Sequence, residues 1–108
     1  MQLIKCIVRP DKVDAVKDAL AQLDVFGMTV TEVRGHGHQK GHTTVYRGKE
    51  YNVDLLPKME IETVVPDRLV DDVVRGIIEA ARTGEIGDGR VFVSPVTQSY
   101  KIRTGELE

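Results

Sequence analysis

Ala81-Arg82-Thr83-Gly84-Glu85-Ile86-Gly87-Asp88-Gly89-Arg90-Val91-Phe92 is where one hydrophobic period ends and another begins. Upstream, Leu69, Val70, Val73, Val74, Ile77, Ile78 and Ala81 recur at helical spacing and make a wide apolar stripe. Downstream, a β-branched and aromatic run starts at Val91. Glycine adopts backbone angles that other residues avoid and lets a chain come close to a ligand. Successive N–H groups in a loop such as 82–90 can cradle an anion, and Arg90 adds a charge at its end. The same residues also fit a glycine-terminated helix followed by a tight turn. This is not a Walker loop, because it follows a helix and lacks Gly-Lys-Ser/Thr.

Working outward, Leu56–Val65 alternates, with Met59, Ile61 and Val65 one way and Lys58, Glu60 and Glu62 the other. Pro66-Asp67 opens the helix, with Asp67 as its cap and Asp71 and Asp72 near its positive end. Arg90–Val96 reads as a strand that Pro95 ends early or places at an edge. Tyr100–Arg103 reads as a last short strand within the C-terminal segment 100–108. Together these make a β-α-β unit.

The N-terminal half carries a second such unit. Gln2–Arg9 alternates, with Ile4, Cys6 and Val8 on one face, and Pro10 stops it. Asp11 is the expected N-cap of a helix whose face holds Val13, Val16, Leu20 and Leu23. Met28–Arg34 is the next strand. From Gly35 to Leu55 no period is sustained, and 36–55 reads as a long protruding loop. The order predicts an α+β, ferredoxin-like βαββαβ fold. It has an antiparallel sheet, two helices on one face and the long loop between strands 2 and 3.

With 108 residues the chain is one domain, 1–108, with a modest core that favours oligomerisation. Its 15 basic and 17 acidic residues argue against a nucleic-acid protein. Cys6 is the sole cysteine, so no internal disulfide forms. No apolar run is long enough to span a membrane, and Lys5 and Arg9 interrupt the N-terminus as no signal peptide would allow. The reading is a soluble, cytoplasmic protein.

Lys101 and Arg103 would share one face of a strand and, with Arg90, offer three cations to a polyanion. A solvated edge is the alternative, and the glycine loop tips the balance towards phosphate. His36, His38 and His42 cluster, which suggests a metal site. No Cys or carboxylate falls within that segment, which favours plain loop residues instead. Tyr46 and Tyr51 flank Arg47-Gly48-Lys49-Glu50, as contact or modification sites or as tyrosines folded back on the sheet. No nucleophile–base pair is legible, so no enzymatic role is expected.

Thr83–Phe92 closely resembles the C-terminal signature of the PII nitrogen-regulatory signal-transduction proteins. Gly27–Val33, Gln39-Lys40-Gly41-His42, Tyr46-Arg47-Gly48, Glu50-Tyr51, Leu56-Pro57-Lys58 and Ile102–Glu106 resemble that family too, in order and over essentially the whole chain. The resemblance implies a homotrimer that binds ATP and ADP competitively in clefts between subunits. It implies 2-oxoglutarate binding that requires Mg-ATP. Gly87, Asp88, Gly89 and Arg90 would hold phosphates, with Lys101 and Arg103 reaching in from the neighbour. Ile7, Gly35, Glu62 and Val64 would line the base and ribose side, near Met28 and Thr29. His36, Gly37, His38 and Gln39 would complete the nucleotide site. Gly37, Gln39, Lys40, Gly41, Lys58 and Gly87 would hold 2-oxoglutarate, Gln39 ligating Mg²⁺ and Lys58 pairing with a carboxylate.

By the same resemblance, 36–55 would be an effector loop, with Tyr51 open to a uridylyltransferase and Arg47 docking on an ammonium channel. Other nitrogen-metabolism proteins are implied partners, and the membrane is reached only through a partner. Lys49 stands where the family usually has Ala or Ser, which excludes serine phosphorylation there. His36 and His38 replace a common aromatic residue and an arginine, and the usual Lys and Arg are exchanged at Arg90 and Lys101. A slow nucleotide hydrolase and a trimeric ferredoxin-like metal-binding protein are the competing functions.

Overall fold

Strand β1 (Gln2–Val8) buries Ile4, Cys6 and Val8 and leaves Leu3, Lys5 and Ile7 half-buried. A strand sends alternate side chains to opposite faces, so this pattern means one well-covered face. The computed structural model describes residues 1–36 and 55–108, and between them the backbone of His42–Tyr46 and Lys49–Val53. The other elements are α1 (Val13–Gln22), β2 (Thr29–Gly35), β3 (His42–Tyr46), β4 (Lys49–Val53), β5 (Leu56–Val65), α2 (Val70–Ala81) and β6 (Arg90–Pro95).

Four strands form one sheet in the order β2-β5-β1-β6, with every neighbouring pair antiparallel. This is the expected ferredoxin-like arrangement, and Pro95 lies at the end of an edge strand, where a missing N–H costs little. One face of the sheet presents Ile4, Cys6, Val8, Ile61 and Val65 to Val16 and Leu20 of α1 and to Val73, Ile77 and Ala81 of α2. Ile4, Leu20, Ile61 and Ile77 are fully buried, each gaining roughly 1.5–3 kcal/mol relative to exposure. Among the described residues no helix covers the opposite face, where Leu3, Lys5, Ile7, Glu60, Glu62, Val64 and Phe92 align across the strands.

Three local expectations are corrected. Asp11 and Asp67 do not cap the helices. Short 3-10 turns, Pro10–Lys12 and Asp67–Leu69, lead into α1 and α2 instead, and neither helix has a side-chain cap. In these turns Lys12 N–H donates to Arg9 O and Leu69 N–H to Pro66 O, each at 3.0 Å, so tightened backbone serves in place of a cap. The Asp67 carboxylate instead accepts from the Met1 ammonium at 2.6 Å and from Gln2 Nε2 at 3.3 Å.

The second correction concerns 36–55. It is not without secondary structure, because β3 and β4 pair antiparallel from His42↔Val53 to Tyr46↔Lys49 as a separate two-stranded sheet. Its backbone pairs although the sequence there sustains no hydrophobic alternation. The third is Tyr100–Arg103, which is a turn rather than a strand. Gly105 N–H donates to Lys101 O at 2.7 Å, Lys101 N–H to Glu106 O at 2.9 Å and Glu108 N–H to Ser99 O at 2.8 Å. With those groups paired inside the segment, only an isolated Tyr100↔Leu107 bridge remains.

Candidate functional site

The loop after α2 is held by its own aspartate. Asp88 Oδ2 accepts from the backbone N–H groups of Thr83 and Gly84, both at 2.8 Å. Asp88 Oδ1 accepts from the Thr83 hydroxyl and, at 3.2 Å, from Arg9 Nε. The Thr83 hydroxyl and amide, then the Gly84 amide and the Arg9 guanidinium, hold the Asp88 carboxyl well below the usual carboxylate range. Arg9 Nη2 also donates to Ile86 O at 2.8 Å, and Lys58 Nζ to Gly87 O at 2.6 Å. Burial lowers the Lys58 pKa and the nearby Arg9 charge adds to this, while Asp88 opposes it.

Gly89 has φ +101°, and a Cβ built on it would stand 1.7 Å from Ile7 O. Only glycine lets the loop lie this close to β1. With carbonyls turned to cations and the carboxylate to the loop's first amides, the later amides are left over. The N–H groups of Gly87, Asp88 and Gly89 have no hydrogen-bond acceptor among the described residues. Three successive unpartnered amides beside Arg90 are donors of the kind an anion can use.

Pairing gathers further groups at the same end of the sheet. Arg90 pairs with Ile7, Ile7 with Glu60, and Val8 with Met59, so Arg9 follows the end of β1 and Lys58, still within β5, lies one residue past the β1 pairing. Gly35 pairs with Leu56, so 36–55 leaves and re-enters the fold there too. Ile7, Thr29, Glu62 and Val64 share the uncovered face. Met28 instead packs against the core. His36 is exposed at the end of β2.

Among the described residues no hydrogen bond or ion pair joins Lys101 or Arg103 to the loop. Strand β6 runs from Arg90 beside Ile7 to Pro95 beside Gln2, and both cations follow its far end. Lys101 is exposed and pairs with Glu108 at 3.4 Å. Gly37, His38, Gln39, Lys40, Gly41 and Arg47, and the side chain of Tyr51, lie outside the described residues. Arg9 is the site residue that sequence reasoning missed. Its partner lies 79 positions away, and a basic residue at a strand end carries no local signal.

A profile of the family described as "Nitrogen regulatory protein P-II" matches residues 1–106. The chain belongs to the P-II nitrogen regulatory protein family. It is 54% identical over 106 residues to the nitrogen regulatory protein P-II of Haemophilus influenzae, covering 98% of this chain and 95% of that protein. It is 57% identical over 106 residues, with the same coverage, to the nitrogen regulatory protein P-II 1 of Escherichia coli K12 and to that of Salmonella typhimurium LT2. These P-II relatives are named for regulation, not for a reaction. Among the described residues no helix is long and apolar enough to cross a membrane, and no group of three or more His, Cys, Asp or Glu is placed to hold a metal.

Proposed function

We propose that this chain is a P-II-type signal transducer that binds ATP or ADP at loop 82–90 and regulates nitrogen-metabolism targets through 36–55. With Mg-ATP in place it also binds 2-oxoglutarate beside Lys58. The observation that carries the reading is the run of unpartnered amides at Gly87, Asp88 and Gly89, adjoining Lys58 and both roots of 36–55. Amides of this kind favour phosphate oxygens, and Arg90 adds charge. A ligand there touches the base of 36–55 directly, so occupancy can be passed to that segment without a long relay.

Charge gives the order of binding. 2-Oxoglutarate is a dianion that would lie beside a triphosphate, and without a bridging Mg²⁺ and the Lys58 ammonium the two repel. Gln39 is the residue assigned to Mg²⁺, Tyr51 to uridylylation and Arg47 to docking on an ammonium channel. Titration calorimetry tests the reading. ATP and ADP bind and compete, 2-oxoglutarate gives heat only with Mg-ATP, and Lys58→Ala removes that second heat. Steady ATP turnover would favour a hydrolase instead, and Zn²⁺ binding without nucleotide binding would favour a metal protein.

A further inference from the structure

We propose that Arg9 is a positioning residue for the anion loop: through Asp88 and Ile86 it fixes the backbone that presents the amides of Gly87, Asp88 and Gly89. The inference rests on the phosphate reading of that loop. Arg9 Nε donates to Asp88 Oδ1 and Arg9 Nη2 to Ile86 O, so one planar guanidinium ties the two sides of the turn together. Asp88 passes the restraint to Thr83 and Gly84, where the chain leaves α2. The Arg9 and Asp88 side chains are 22% and 23% exposed, enough shielding for the pair to hold its geometry.

The location of Asp88 makes the argument sharp. A carboxylate next to a phosphate site repels the ligand, so on charge alone its removal improves binding. Acting through the clamp, its removal worsens binding, because the amides lose their arrangement. Arg9 has the mirror ambiguity, being either a cation that attracts phosphate or a brace. Its charge is already opposed by Asp88, and its Nε and Nη2 are engaged with the loop.

The test combines ATP calorimetry with amide hydrogen exchange in the ligand-free protein. Asp88→Asn keeps the size of the side chain but places an amino group where an acceptor stood. It should weaken ATP binding on the order of tenfold despite losing a negative charge. Arg9→Ala should weaken it by a similar factor, and the double variant by little more, since both break one unit. Arg9→Lys should recover only part, because an ammonium lacks the fork that reaches both acceptors.

Without any ligand, exchange of the Thr83 and Gly84 amides should accelerate in Arg9→Ala and Asp88→Asn while β1 and β5 amides stay protected. Tighter ATP binding by Asp88→Asn would overturn the proposal, as would additive losses or unchanged exchange at Thr83 and Gly84. If the unaltered protein bound no ATP, the phosphate reading and the ligand role of Arg9 would both fall. The exchange data would then still decide whether the clamp exists.

Discussion

Gly89 and Gly84 both have positive φ, yet they constrain the chain differently. At Gly84, φ +91°, a Cβ would meet nothing within 4 Å. Gly84→Ala should therefore carry only backbone strain, about 1–3 kcal/mol. At Gly89 the same methyl collides with Ile7 O, so strand and loop must part. In urea unfolding Gly89→Ala should be clearly the more destabilised of the two, and equal losses would show that the close approach is absent. Cys6 supplies a pH signature at the same scale. Burial pushes its thiol from 9.0 up to about 11. Between those values the unfolded chain has released the proton and the folded chain has not, so stability falls as pH rises through that window. Cys6→Ala should lose stability at neutral pH by leaving space in the core, yet show a shallower alkaline decline in thermal melts from pH 9.0 to about 11.

At the scale of elements, α2 carries an avoidable weakness. Gly76 lies inside it, where a Cβ would meet Ala19 Cβ at 3.8 Å and Leu23 Cδ1 at 3.9 Å, ordinary contact with α1. Gly76→Ala should raise stability by about 0.5–1 kcal/mol, seen as a higher urea midpoint with unchanged slope. A lower midpoint would mean the helices cannot accept the methyl. The elements also show what could be read from sequence. Ile4, Cys6 and Val8 and the α2 stripe announced themselves because burial on one face imposes a period. The β3–β4 ribbon had no such imprint. The helix starts were misread because Asp11 and Asp67 suit a cap on local grounds, whereas backbone turns met the amides and Asp67 turned to Met1. Within the site, glycine spacing pointed to loop 82–90, but the bonds of Arg9 and Lys58 to that loop join residues far apart in sequence.

On the scale of the whole molecule, the proposed phosphate site draws on more than one chain. The near end of β6 adjoins loop 82–90, and Lys101 and Arg103 follow its far end in sequence. A strand of this length spans roughly 20 Å, and under the proposed function a second copy supplies those cations. The uncovered face suits that assembly, since Val64 and Phe92 are each 46% exposed there without a covering helix. Sedimentation equilibrium should give three times the 12.0 kDa chain mass. Phe92→Asp should shift it towards one chain and weaken ATP binding with it. A monomeric unaltered protein that binds ATP fully would refute the shared site.

The pinning of the loop against β1 also bears on how fast a ligand is captured. Gly89 against Ile7, Asp88 on Thr83 and Lys58 on Gly87 hold the loop in place, so under the proposed function its amides are set before a phosphate arrives. No closing step of this loop then has to precede capture. Association should be limited by diffusion and electrostatic steering, slowing as salt is added and rising linearly with nucleotide concentration without reaching a plateau. Under that proposal, a slow phase after mixing would come from parts of the molecule that adjust once phosphates are seated.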